Sequence, residues 1–178
     1  MHRAKVFLLF LVTAVLVAGA FGALHDQISY TVSHEYYTRF KFHQFGLLND
    51  GIPERIRAAE VGFLASWWMG IPLGLLIGVM GLVQRSAEQM RRALCWSLMF
   101  VIAFTFAFAL IGLLYGHYQT QQFDLAAYTG WYIPQGLEHP RSFLCAGYMH
   151  NCAYLGSVLA LPIVLIFNLL YRRRSRAV

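Results

Sequence analysis

The sequence predicts an all-α protein, a four-transmembrane-helix bundle with two long loops on the outer side of the membrane. Three observations point to this. Four apolar runs are each long enough to cross a bilayer, cations gather where the chain would emerge on one side, and aromatic residues gather on the other. The expected helices cover about 5–25, 54–84, 90–117 and 148–172, with outer loops over about 26–53 and 118–147, all within a single integral membrane domain spanning 1–178.

Composition supports the lipid setting. Of the 178 residues, 58% are hydrophobic and 12% charged, against roughly 25% charged in a soluble domain. The mean hydropathy is +0.53. The formal charge of +6 would raise nucleic acid as a partner in a soluble protein. Here the cations sit in short clusters between apolar runs, with no zinc-finger spacing and no basic-aromatic platform, so no nucleic-acid partner is expected.

The first run, Val6 to Leu24, follows the basic start His2, Arg3 and Lys5. At ~1.5 Å per residue it reaches across a ~30 Å hydrocarbon core. It also exceeds the ~7 to 15 residues usual in a signal peptide's apolar region. Retention is therefore expected, although Ala18-Gly19-Ala20 would suit cleavage. The second run, Val61 to Val83, follows Pro53 at a first-turn position. Gly70, Pro72, Gly74, Gly78 and Gly81 thin its middle, where small residues let a neighbouring backbone approach and Pro72 permits a kink. The third run, Ala93 to Tyr115, is rich in Phe, and the fourth, Met149 to Tyr171, ends in Arg172-Arg173-Arg174-Ser175-Arg176.

Four spans put Arg3, Lys5, Arg85, Arg91, Arg92, Arg172, Arg173, Arg174 and Arg176 on one side. Only Arg39, Lys41, Arg55, Arg57 and Arg141 fall on the other. The excess of cations marks the cytoplasmic side, so both termini are expected there. Trp67, Trp68, Trp131, Tyr115, Tyr118, Tyr132 and Tyr148 gather near the outer boundary, where an aromatic belt would lie. The outer loops are too long for simple turns. They are expected to pack together over the bundle end, with Phe40, Phe42 and Phe45 alternating in a short strand or interfacial segment.

The stretch His25-Asp26-Gln27-Ile28-Ser29-Tyr30-Thr31-Val32-Ser33 continues to Glu35-Tyr36-Tyr37-Thr38 and Phe40-Lys41-Phe42. It resembles a segment in a group of small bacterial multi-pass membrane proteins that have no assigned function. The resemblance implies a bacterial inner membrane, with the outer loops periplasmic, and implies nothing about chemistry.

Chemistry is suggested by the histidines. Six of the seven, His25, His34, His43, His117, His139 and His150, fall on the outer side. His25 closes the first span, His117 closes the third, His150 opens the fourth and Glu60 opens the second. Four-helix bundles build metal sites from inward side chains at one depth. The expected site is a transition-metal centre of His25, His117 and His150, with Glu60 or Asp26 contributing. Copper, zinc and iron are not distinguished by these ligands. Asp26, Asn151, Tyr30 and Tyr154 are candidates to orient the imidazoles. His139, beside Pro140, reads as a solvated turn residue.

The corresponding function is metal handling or metal-based redox chemistry. Two other readings stay open: a haem-b-binding subunit with two of the histidines as axial ligands, and an accessory subunit whose outer loops dock other membrane subunits. Cys145 and Cys152 pair only if the fourth helix starts between them, since seven residues of helix separate them by about 10 Å. The absence of C-x-x-C weakens a disulfide-oxidase reading. No G-x-S-x-G, Walker loop, H-E-x-x-H or dinucleotide fingerprint occurs.

Overall fold

The computed structural model describes residues 2–122 and 124–174, so Arg176 lies outside the described residues. The described residues are helical throughout their ordered elements, with no strand. Helix α1 runs Arg3–Val32, α4 Glu54–Ser66, α5 Gly70–Gly81, α6 Ala87–Gln119 and α7 Pro140–Arg174. Between α1 and α4 lie two short pieces, α2 (His34–Tyr36) and α3 (Phe42–Phe45), joined by a π-helical turn over Tyr37–Lys41. Four helical stretches, Arg3–Val32, Glu54–Gly81, Ala87–Gln119 and Pro140–Arg174, are long and apolar enough to cross a membrane.

The second stretch is interrupted where the sequence forbids a continuous ladder. Pro72 has no N–H for the Trp68 carbonyl and its ring crowds that group. The chain answers with a 3-10 turn over Trp67–Met69, between α4 and α5. Helix α1 packs on α4 and α5, α6 packs on α7, and the two pairs meet more sparsely. The α1–α4 crossing needs glycine on both sides: a Cβ on Gly22 would overlap the Gly62 carbonyl oxygen, and one on Gly62 the Gly22 carbonyl oxygen. Small residues at such a crossing replace hydrophobic drive, which lipid does not supply, by close backbone packing.

The two ends of the bundle differ. At the arginine end Val6, Phe10, Ile77, Met90, Leu94 and Val164 form the apolar core. A polar chain crosses it: Gln84 Nε2 donates to Asn168 Oδ1 at 3.3 Å, and Asn168 Nδ2 donates to Ser97 Oγ at 3.0 Å. The α6 start is capped by Ser86, whose hydroxyl accepts from the Gln89 N–H.

At the histidine end, α2, the π turn and α3 fold back over the bundle. Tyr36, Tyr37, Phe42 and Phe143 make a second core with Ala58 and Val61. The two connecting segments meet there, as expected. The Glu35 carboxylate accepts the backbone N–H groups of Glu138 and His139 at 2.8 and 2.7 Å, and Phe40 packs on Tyr132.

Several expectations fail at this end. Helix α1 continues to Val32 instead of stopping near 25, so His25 and Asp26 lie inside a helix. The Phe40 to Phe45 stretch is helical; its alternating aromatics face Tyr36, Phe143 and the Arg57 guanidinium, and no partner strand exists among the described residues. Helix α7 starts at Pro140, not near 148, which puts Cys145 and Cys152 on one continuous helix, and both thiols are free.

Candidate functional site

The site grows out of two helix faces. The buried side of α1 carries Ala14, Gly22, His25, Asp26 and Ser29. That of α7 carries Phe143, Ala146, Ala153, Ser157 and Ala160, and His150 sits on the same stripe, four residues beyond Ala146 and three before Ala153. Where α1 and α7 face each other, His25 and His150 meet with ring centroids 4.7 Å apart, edge to face. Asp26 lies beside both: its Oδ1 is 3.1 Å from His25 Nδ1 and 3.8 Å from His150 Nε2.

The three side chains are 4%, 4% and 11% exposed. One potential ligand atom from each lies within 4.8 Å of the others. The Nε2 atoms of both histidines are buried without a hydrogen-bond partner. Buried polar atoms are rarely left so, because each costs on the order of 1 to 3 kcal/mol. His150 Nε2 faces the Asp26 carboxylate at 3.8 Å, whereas His25 meets that carboxylate through its other nitrogen, Nδ1.

The surroundings hold the rings in place. Tyr36 stacks on the His150 ring at 5.1 Å, nearly parallel, and Phe21 lies 5.9 Å from His25. Tyr37 shares a 2.5 Å hydrogen bond with Ser29. Burial, and then the nearby Asp26 carboxylate, push the Tyr37 hydroxyl well above its ordinary range. Burial lowers the Lys41 ammonium from its usual value, with Asp26 acting in the opposite sense. The Lys41 Nζ donates to Gln44 at 2.9 Å and lies 4.6 Å from the Phe40 ring centre.

Two cavities meet at this group. An apolar cleft runs from His25, Asp26 and His150 down between the helix pairs, past Ala14, Ala18, Leu73 and Val101. A second cavity, at the histidine end, is lined by Tyr36, Phe40, Trp131, Tyr132 and Asn151. Lys41, His150 and Tyr154 line both.

Of the five expected site residues, the structure brings His25, Asp26 and His150 together and leaves His117 and Glu60 out. The inward stripe of α6 runs Val101, Thr105, Ala109, Gly112, Gly116. His117 follows Gly116 by one residue, about 100° around the helix, and is exposed. Glu60 lies nearly opposite Ala58 and Gly62 on α4 and is exposed too. Among the expected orienting groups, Asp26 reaches His25, whereas Tyr30 donates to Glu54 at 2.6 Å and Asn151 is exposed. His34 also turns to Glu54, at 2.6 Å, and His139 is exposed.

Sequence reasoning missed Tyr36 and Lys41. Neither falls on a long helix face, so no periodicity pointed to them. The chain matches no family model, no curated protein and no solved structure.

Proposed function

We propose that the chain is a bacterial inner-membrane protein, with both termini cytoplasmic, that holds one transition-metal ion between His25, His150 and Asp26. Its role would be metal handling or metal-based redox chemistry. The observation that carries this reading is a cluster of two buried imidazoles, each with an unpartnered Nε2, and one buried carboxylate, with one ligand atom of each within 4.8 Å of the others. A divalent cation would satisfy both nitrogens and neutralise the carboxylate in a setting where an isolated charge is costly.

The separations suit an ion after a small contraction. Ligand atoms about 2.0 to 2.1 Å from a first-row metal lie roughly 3 to 4 Å from one another, and the present upper limit is 4.8 Å. Two imidazoles and one carboxylate leave further positions open, as catalytic and transport sites do. A haem iron is a poorer fit. Axial imidazoles on its two faces need ring centroids roughly 6 Å apart given Fe–N bonds of about 2 Å, and these are 4.7 Å apart.

The test is elemental analysis with an absorption spectrum on protein purified in detergent, beside a His150→Ala variant. The reading expects about one metal ion per chain, lost in the variant, and no Soret band. Metal-free protein that also fails to take up copper, zinc or iron overturns it, and a Soret band replaces it with the haem reading.

A further inference from the structure

We propose that the cleft beneath His25 and His150 binds an isoprenoid quinone, its ring at the two imidazoles and Lys41 and its prenyl tail along α1. This goes beyond the metal reading, because it rests on the cavity and needs no ion.

The cleft is apolar along its body and polar at one end. Its body is lined by Ala14, Ala18, Leu73 and Val101, and its head by His25, Asp26, His150 and Lys41. From His25 down to Ala14 the helix rises about 16 Å at ~1.5 Å per residue, the reach of a few prenyl units. It lies between the two helix pairs, where packing is sparsest, inside the stretches long enough to cross a membrane. A ligand carried in lipid is the natural occupant of such a space.

The head selects among lipid-borne ligands. A fatty acid or phospholipid would bring an anion against the buried Asp26 carboxylate, which like charges in a low-dielectric site disfavour. A quinone is neutral and presents carbonyl acceptors, and its quinol presents hydroxyl donors. The site can meet both. With Asp26 accepting from His25 Nδ1, the buried and unpartnered His25 Nε2 is left as an acceptor for a quinol hydroxyl. Lys41, which lines the head, adds N–H donors for a quinone carbonyl. The second cavity reaches the same His150 and Lys41 from the histidine end, so the head lies between an apolar channel and an aromatic-lined cavity.

The experiment titrates full-length protein in detergent with decylubiquinone, following quenching of tryptophan fluorescence. Trp67 and Trp68 adjoin the cleft-lining residues Ser66 and Met69. Saturable binding is expected, weakened at least about tenfold by Ala18→Phe, which fills the channel, and by Lys41→Met, which removes donors at the head. Dodecanoate should not compete. Thermal unfolding identifies a variant that fails to fold, and Ala153→Leu, on the opposite wall, then serves in place of Ala18→Phe. Titrations are repeated after chelator treatment. Binding that survives there while elemental analysis finds no metal site retains the quinone proposal and rejects the metal reading alone. Absence of saturable binding, equal competition by dodecanoate, or unchanged affinity in folded channel-filling variants overturns the quinone proposal whatever the metal content.

Discussion

Replacing Asp26 by asparagine separates the work of its charge from the work of its shape. In the parent, Asp26 Oδ1 is 3.1 Å from His25 Nδ1 and 3.8 Å from His150 Nε2, with the side chain 4% exposed. The amide oxygen of asparagine can still accept from His25, so the ring stays oriented. What vanishes is the negative charge. Loss of an anionic ligand or ring-orienting carboxylate at a metal site costs about 10 to 100-fold in affinity, or roughly 1.4 to 2.7 kcal/mol. The metal-free protein should behave in the opposite sense. Burying a carboxylate costs several kcal/mol, only partly offset by a single charge-assisted bond that is worth about 1.5 to 3 kcal/mol. Metal-free Asp26→Asn should therefore be at least as stable as the parent. Affinity is read by elemental analysis after equilibration against graded chelator, and stability by reversible unfolding in mixed detergent micelles. Unchanged metal affinity, or a metal-free variant less stable by more than about 1 kcal/mol, would show that Asp26 has a structural role only.

Further outcomes follow from the bundle. Asn168→Leu removes two hydrogen bonds between separate chain segments, to Gln84 and Ser97. At about 0.6 and at most about 1.7 kcal/mol each in membrane bundles, the loss should be roughly 1 to 3 kcal/mol in the same unfolding assay; full parental stability would contradict it. Gly62→Ala forces a Cβ into the Gly22 carbonyl, and should destabilise by about 1 to 3 kcal/mol as overpacking does, whereas Gly51→Ala should not. Under denaturing conditions all three cysteines should take up maleimide, and under native conditions exposed Cys95 should react well before buried Cys145; a product lacking two labels would reveal a disulfide. Reporter fusions after Val83 and Val178 should lie on the cytoplasmic side and fusions near Asp50 and Gly130 on the other, and a C-terminus on the far side would sink the proposed orientation.

The four long helices were legible because a span-length apolar run has few alternatives in lipid. Their ends were not. Beyond Leu24 the residues turn polar, which reads as loop, and Gly147 and Pro140 before Met149 read as turn residues, yet α1 and α7 continue because Asp26, Ser29 and Phe143 have partners at the folded histidine end. Alternation of Phe40, Phe42 and Phe45 reads as a strand, since a π-helical turn leaves no periodic mark. At the site, the gathering of histidines at one end of the bundle was legible and their placement was not. His25 and His150 face inward where α1 meets α7, whereas His117 lies one residue off the inward stripe of α6 and five residues beyond Gly112, which packs at Tyr148 and Cys152 on either side of His150. Rotation of 100° separates a possible ligand from a surface histidine, and only the packing of α6 on α7 decides it.

The π turn over Tyr37–Lys41 is what one extra residue in an α-helix leaves behind. Its consequence is a matter of phase. That surplus residue lets the short helical arm keep Tyr36 against His150 on one side of the turn and bring Lys41 to the mouth of the cleft on the other. Deleting Thr38 would restore an ordinary helix and turn everything after it by about 100°, leaving Tyr36 seated while Lys41 swings away from the mouth. A chain of nearly the same composition and the same four spans would then lack the lysine at the head of its cleft, so the identity of this site is written in the count of residues along the turn after Tyr36 as much as in the residues themselves.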